Sequence, residues 1–434
     1  MTTATSPGPT LGASFGGGLA TPAPGSVRLA GEHFAAGLIY LLAGSAGLVW
    51  IAPELSAGMY VMPHVAGITH LFTLGWLTTT ILGALYQLLP VALGAPIKSV
   101  RAGHASFWTF APGVGLFAAG VASSSTMLHH AGIALVAIGI LLALGNLGAS
   151  LAATAKHDTT WAGIAIALCF LASTLVLGIL LLHNLHTGFL GAARIRVLAA
   201  HLHIALVGWV LVMIVGVSFR LLPMFLLAHG ADTRWAGRAL ALLATGVPAL
   251  AVGLLAGVPL VAWLGLIAMD AGFACFLRQA WAFYRVRIRK RIDIGMRFAR
   301  AGLGFLCVSA ILGPFVLTRG VASPRLATAY VAIGLLGGLV LFVIGFFYKI
   351  VPLLAWTVHY RDRMGRSPVP TVADTFSARV ATVQLRVMAA ALLVLGLGIG
   401  TASAHVTRCA AVLYAAGVLL LATQIGRVAL GRKS

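Results

Sequence analysis

The chain has 434 residues, of which 60% are hydrophobic and only 9% charged, and its mean hydropathy is +1.02. Soluble globular domains carry about 25% charged residues, so this composition excludes them and specifies a polytopic membrane protein. The formal net charge of +21 would suggest nucleic acid in a soluble chain, but the placement of the basic residues argues against that partner and for a lipid bilayer.

Residues 1–27 are rich in Thr, Gly, Ala, Ser and Pro and carry no charge before Arg28. They lack the basic segment and continuous apolar core of a signal peptide and read as a disordered tail. Hydropathy then predicts twelve transmembrane helices, at 33–52, 64–90, 105–124, 128–153, 161–183, 199–227, 236–256, 258–284, 299–318, 327–354, 380–400 and 406–430. The fold class is all-α: a single transmembrane domain over 28–434. The cysteines, Cys169, Cys275, Cys307 and Cys409, lie singly in apolar stretches, so neither a disulfide framework nor a zinc site follows.

The second and sixth helices share a pattern. HLFTLGWLTTTILGALYQLLPV, beginning at His70, matches the sixth helix at His70/His203, Gly75/Gly208, Trp76/Trp209, Gly83/Gly216, Tyr86/Phe219 and Pro90/Pro223. The tenth helix has no histidine but keeps Gly337, Gly345, Tyr348 and Pro352 at the same offsets. Self-similarity at a period of about 130 residues divides the chain into three pseudo-repeats of four helices, near 28–153, 158–284 and 295–430.

Basic residues predict the orientation. Lys98, Arg101, Lys156, Arg234, Arg238, the run from Arg285 to Arg300, Arg361, Arg363, Arg366, Arg432 and Lys433 fall on one side, against Arg194, Arg196, Arg319, Arg325 and Arg408 on the other. The positive-inside rule puts both termini in the cytoplasm of a bacterial-type cell, in its cytoplasmic membrane. The basic run is either a plain anchor or a patch for anionic lipid or an acidic partner.

In that topology His64, His70, His183, His186, His201 and His203 converge on the outer half of the membrane. Ionisable side chains at that depth are costly and mark functional sites, and neutral imidazole is a ligand for haem iron, copper and zinc. The bland alternative is hydrogen bonding between helices. At about 100° per residue, His201 and His203 point to nearly opposite faces. One is expected to face His70 and the other a neighbouring compartment, while His64, His183 and His186 are candidate metal ligands. His33, His104, His129, His130, His157, His229, His359 and His405 read as loop or interface residues without chemistry.

Two further polar features stand out. Gln87, Arg220 and Lys349 occupy equivalent positions three residues before the motif proline, as either an anion-attracting ring about a pseudo-threefold axis or side chains snorkelling to the headgroups. Asp270 is an acid within an apolar span, suited to a proton path or to an ion pair with Arg220 or Arg278. No nucleophile with a base partner, phosphate-binding loop or CxxCH haem-attachment sequence occurs.

Twelve helices in groups of four, histidines on the second and sixth helices and a His-x-His pair resemble the haem-copper oxidase subunit I superfamily, which includes nitric oxide reductases and divergent relatives. The resemblance is architectural and covers about 400 residues. It implies a respiratory or nitric-oxide-related oxidoreductase binding haem b, with copper as a second metal, partner membrane subunits and an outer-face electron donor such as cytochrome c or a cupredoxin. His70 matches the family's second-helix haem ligand; His201 and His203 reproduce the family's His-x-His spacing on the sixth helix instead of the tenth. The tenth helix has no histidine and the seventh lacks the paired copper ligands, so the usual binuclear site is absent. A haem held between the second and sixth helices by His70 and one of His201 or His203 is one expectation. A non-enzymatic handler of copper, haem or another small ligand on the same scaffold is the other.

Overall fold

The computed structural model describes residues 24–431. The described residues are helical with no strand, and twelve helices are long and apolar enough to cross a membrane. These are α1 (Gly25–Trp50), α2 (Pro63–Leu93), α3 (Val100–Ala122), α4 (Thr126–Ala152), α5 (Thr159–Thr187), α6 (Gly191–Leu226), α7 (Arg234–Ala256), α8 (Pro259–Arg285), α9 (Ile294–Arg319), α10 (Pro324–Arg363), α11 (Ala378–Gly400) and α12 (Ala404–Ala429). The tail expected over 1–27 lies, for residues 1–23, outside the described residues.

The first helix starts earlier than hydropathy predicts because its polar residues find partners. Glu32 bonds Arg28 at 2.9 Å and His104 of α3 at 2.8 Å, and His33 donates through Nδ1 to the Leu29 carbonyl. Such pairing removes the cost of burying polar groups. Helix ends carry their own stop and start signals. Asp158 and Asp293 cap α5 and α9, Ser99, Ser377 and Ser403 cap α3, α11 and α12, and Gly94, Gly188 and Gly257 end helices in the left-handed conformation.

The repeat is written into the backbone. Each motif helix widens into a π-helical segment at the same register: Leu71–Thr78 in α2, Ile204–Leu211 in α6 and Ile333–Val340 in α10. Each segment starts one residue after the repeat position held by His70, His203 and Ala332. Inside each, a glycine takes an aromatic ring from the preceding helix: Gly75 faces Tyr40, Gly208 faces Phe170 and Gly337 faces Phe305. About two turns further on, Gly83 abuts His33, Gly216 abuts Gly163 and Gly345 abuts Gly295. Absent side chains let the helices approach closely where lipid supplies no hydrophobic drive between them.

The third and fourth helices of each repeat form a tight hairpin on the same principle. Gly113, Gly120, Gly132 and Gly139 lie against the backbone of the facing helix, and so do Gly246, Gly253, Gly265 and Gly272 about 130 residues later. In the third hairpin Gly398 meets Thr407 and Gly417 meets Met388.

These hairpins surround a centre made by α2, α6 and α10. The most apolar windows of those three are 78%, 61% and 83% buried, against 17% to 56% in the other helices. Their π segments touch one another around a pseudo-threefold axis. Trp209 Nε1 of α6 donates to Thr78 Oγ1 of α2 at 3.0 Å, and Trp76 of α2 meets Phe347 of α10 edge-on at 5.0 Å.

Candidate functional site: a histidine-lined cavity among the central helices

A cavity of about 550 Å³ opens at the end of the bundle where α2, α6 and α10 begin. Its wall is mainly apolar, with Leu74, Phe117, Leu171, Leu206, Leu306 and Leu335 among its residues. Into it come His70 of α2, His201 and His203 of α6, and Tyr330 of α10. An apolar chamber of this size with a few convergent polar groups has the form of a small-molecule or cofactor site. It also sits beside three π segments, a backbone irregularity that recurs at functional sites.

The two histidines of the His-x-His pair point to different sides of α6, yet both line this one cavity. The expected second compartment is the same chamber, which wraps around α6 from α2 and α5 to α10. His201 turns toward α5, its ring lying against Gly178, and it is within electrostatic range of His70. His203 turns toward α10, where Nε2 meets the Tyr330 hydroxyl at 3.0 Å.

The backbone sets the tautomers of two of these rings. His70 Nδ1 donates to the Ala66 carbonyl at 2.7 Å and His203 Nδ1 to the Ala199 carbonyl at 2.8 Å. A carbonyl only accepts, so both rings carry the proton on Nδ1 and a lone pair on Nε2. That lone pair is free in His70, whereas in His203 it accepts the Tyr330 proton. His201 makes no such bond to its own helix, and its Nδ1 is buried without a partner. An unsatisfied buried nitrogen costs about 1–3 kcal/mol; His201 is held in a ring orientation that its own helix does not reward.

Two cations lie at the same end. Arg194 and Arg196, on the first turns of α6, line the cavity and have no acidic side chain within ion-pair distance among the described residues. They stand seven residues before His201 and His203, two helical turns away on the same faces. That spacing was available in RIRVLAAHLH, as was the alignment of Tyr330 with His201; counting histidines alone passes over both.

The other sequence-derived residues disperse. His64 bonds Glu54 at 3.0 Å beside Trp50, and His183 lies by Phe189; neither lines the cavity. His186 leaves the α6 histidines altogether and meets His129 and His130 of α4, two residues that read as having no chemistry. Gln87 is buried and donates to Ser26 at 3.5 Å, Arg220 is exposed, and Lys349 pairs with Asp293 at 2.6 Å while covering the Phe225 ring. The charge of Lys349 is therefore taken up by α9. Asp270 forms no ion pair with Arg220 or Arg278 among the described residues, and it lies within electrostatic range of Tyr330.

No protein-family model matches this chain, and no curated protein matches it.

Proposed function

We propose that the chain is a haem-binding redox protein of the bacterial cytoplasmic membrane, related in architecture to haem-copper oxidase subunit I, in which His70 and His201 would hold a haem b. The observation that carries this reading is that imidazoles from two different helices line one apolar cavity within electrostatic range of each other.

The residues present fit the group. His70 offers a lone pair on Nε2 with Nδ1 locked by a backbone carbonyl, the arrangement that orients ligating histidines in metal sites. His201 lines the cavity beside the Thr174 backbone of α5, and no bond to its own helix fixes its ring. His203 is bound to Tyr330 and serves to tie α6 to α10. Arg194 and Arg196, unpaired at the rim, suit the two carboxylates of a haem and would fix its edge toward that end of the bundle. Bound there, haem supplies one-electron chemistry at a potential set by its axial ligands and its dry surroundings. The apolar wall keeps water from the site, and the arginines hold the charged edge near solvent.

With both termini cytoplasmic, the cavity end faces outward, so electrons are exchanged with an outer-face donor such as a small cytochrome c or a cupredoxin, or with a partner membrane subunit. The test is haem content after substitution. His70→Ala and His201→Ala are each expected to abolish bound haem, while His203→Ala keeps it; haem retained in both of the first two overturns the reading.

A further inference from the structure

Outside the cavity, a second group of imidazoles comes together where α4 begins and α5 ends. His129 Nε2 and His186 Nε2 lie 2.6 Å apart, and a ring nitrogen of His130 completes a set whose ligand-capable atoms all fall within 4.8 Å of one another. None of the three lines the central cavity. We propose that His129, His130 and His186 form a metal-binding site for an imidazole-seeking first-row ion, copper or zinc, independent of the haem site.

Two details favour a ligand over simple packing. His130 Nδ1 donates to the Thr126 carbonyl at 2.8 Å, which leaves the Nε2 lone pair for a metal and supplies the outer hydrogen bond that metal-bound histidines keep. The short approach of His129 to His186 requires a proton between two nitrogens that would otherwise present facing lone pairs, and a cation fills that role with both rings neutral. No carboxylate joins the group, which disfavours calcium or magnesium.

The fold itself does not call for these histidines. Gly120 of α3 packs against the backbone of His129, and the equivalent contacts elsewhere are Gly253 with Ala262 and Gly398 with Thr407. Where the first hairpin has His129 and His130, the second has Ala262 and Trp263 and the third Thr407 and Arg408. Two of three copies of the same hairpin close without an imidazole at that position.

A small adjustment converts the group into a coordination shell. Tetrahedral coordination at about 2.0 Å from each nitrogen spaces the nitrogens by about 3.3 Å, so His129 and His186 must part by less than 1 Å. His186 is exposed on the last turn of α5, just before Gly188, and His130 is exposed as well. Both can move, and both leave the ion an entry path and a fourth position open to water.

The experiment uses full-length protein purified in detergent without a polyhistidine tag, stripped with a chelator and dialysed against Zn²⁺ or Cu²⁺ separately. One ion per chain is expected, with Cu²⁺ held more tightly than Zn²⁺. His130→Ala and His186→Ala should each weaken binding about tenfold or more, with haem content unchanged. His129→Ala, which copies the alanine of the second repeat, should fold and behave alike; His64→Ala and His183→Ala should leave the affinity as it was. Absence of stoichiometric binding by the parent protein, or equal affinity in the His130→Ala and His186→Ala variants, overturns the assignment.

Discussion

Tyr330 donates its hydroxyl to Nε2 of His203 at 3.0 Å from the position in α10 that His201 holds in α6. The third repeat lacks a histidine, but it supplies the group that engages one. The bond joins two of the three central helices beside the cavity and divides the His-x-His pair into a tethering residue and a ligand.

Replacing Tyr330 by Phe removes that bond and leaves the half-buried His203 acceptor without its partner. The expected cost is about 1 kcal/mol of stability, read as a lowered unfolding temperature in detergent. Haem should remain at the parent stoichiometry, since neither residue is a proposed ligand. Loss of haem in Tyr330→Phe would show that the division of roles is wrong.

Two glycine substitutions should move stability in opposite directions. At Gly265 an added Cβ would stand 2.1 Å from the Leu250 backbone nitrogen, so Gly265→Val has to force α7 and α8 apart. A cost of about 3 kcal/mol or more follows from overpacking against rigid backbone. At Gly145, exposed on α4, nothing lies within 4 Å, and Gly145→Ala should stabilise by about 0.5 kcal/mol through helix propensity and the unfolded chain. Thermal unfolding of the two variants beside the parent checks both signs.

The connection between α10 and α11 should respond to acid. Asp374 accepts bonds from the Thr371 hydroxyl at 2.6 Å and the Thr371 amide at 2.9 Å, which hold its carboxyl below the ordinary carboxylate range. The folded form favours the charged state, so the contribution is present above that ordinary range and is lost as pH falls through the depressed value. Amide exchange over residues 371–375, corrected for intrinsic rates, should stay constant down to the carboxylate range and accelerate below it. In Asp374→Asn that acid-dependent step should vanish.

Much of the architecture is legible in the amino-acid order because a membrane makes hydropathy decisive. The twelve spans, the threefold period and the marking of α2, α6 and α10 by Gly75, Gly208 and Gly337 all follow from it, as does attention to His70, His201 and His203. Hydropathy does not mark the π segments, although each of them contains the motif glycine, Gly75, Gly208 or Gly337. The meeting of His186 with His129 and His130 was equally hidden: it joins the start of one helix to the end of the next, and no spacing along the chain encodes their closeness. The helical wheel gave opposed directions for His201 and His203, but it carries no information on a cavity that wraps around the helix between them.

What occupies the cavity decides the function. The most direct measurement is a dithionite-reduced minus oxidised absorption spectrum of the protein purified in detergent, with iron and copper counted on the same sample. Sharp haem b bands at about one haem per chain are expected, of the bis-imidazole type that two histidine ligands give. A chain that is folded and monodisperse but shows no haem bands and no iron would contradict haem binding.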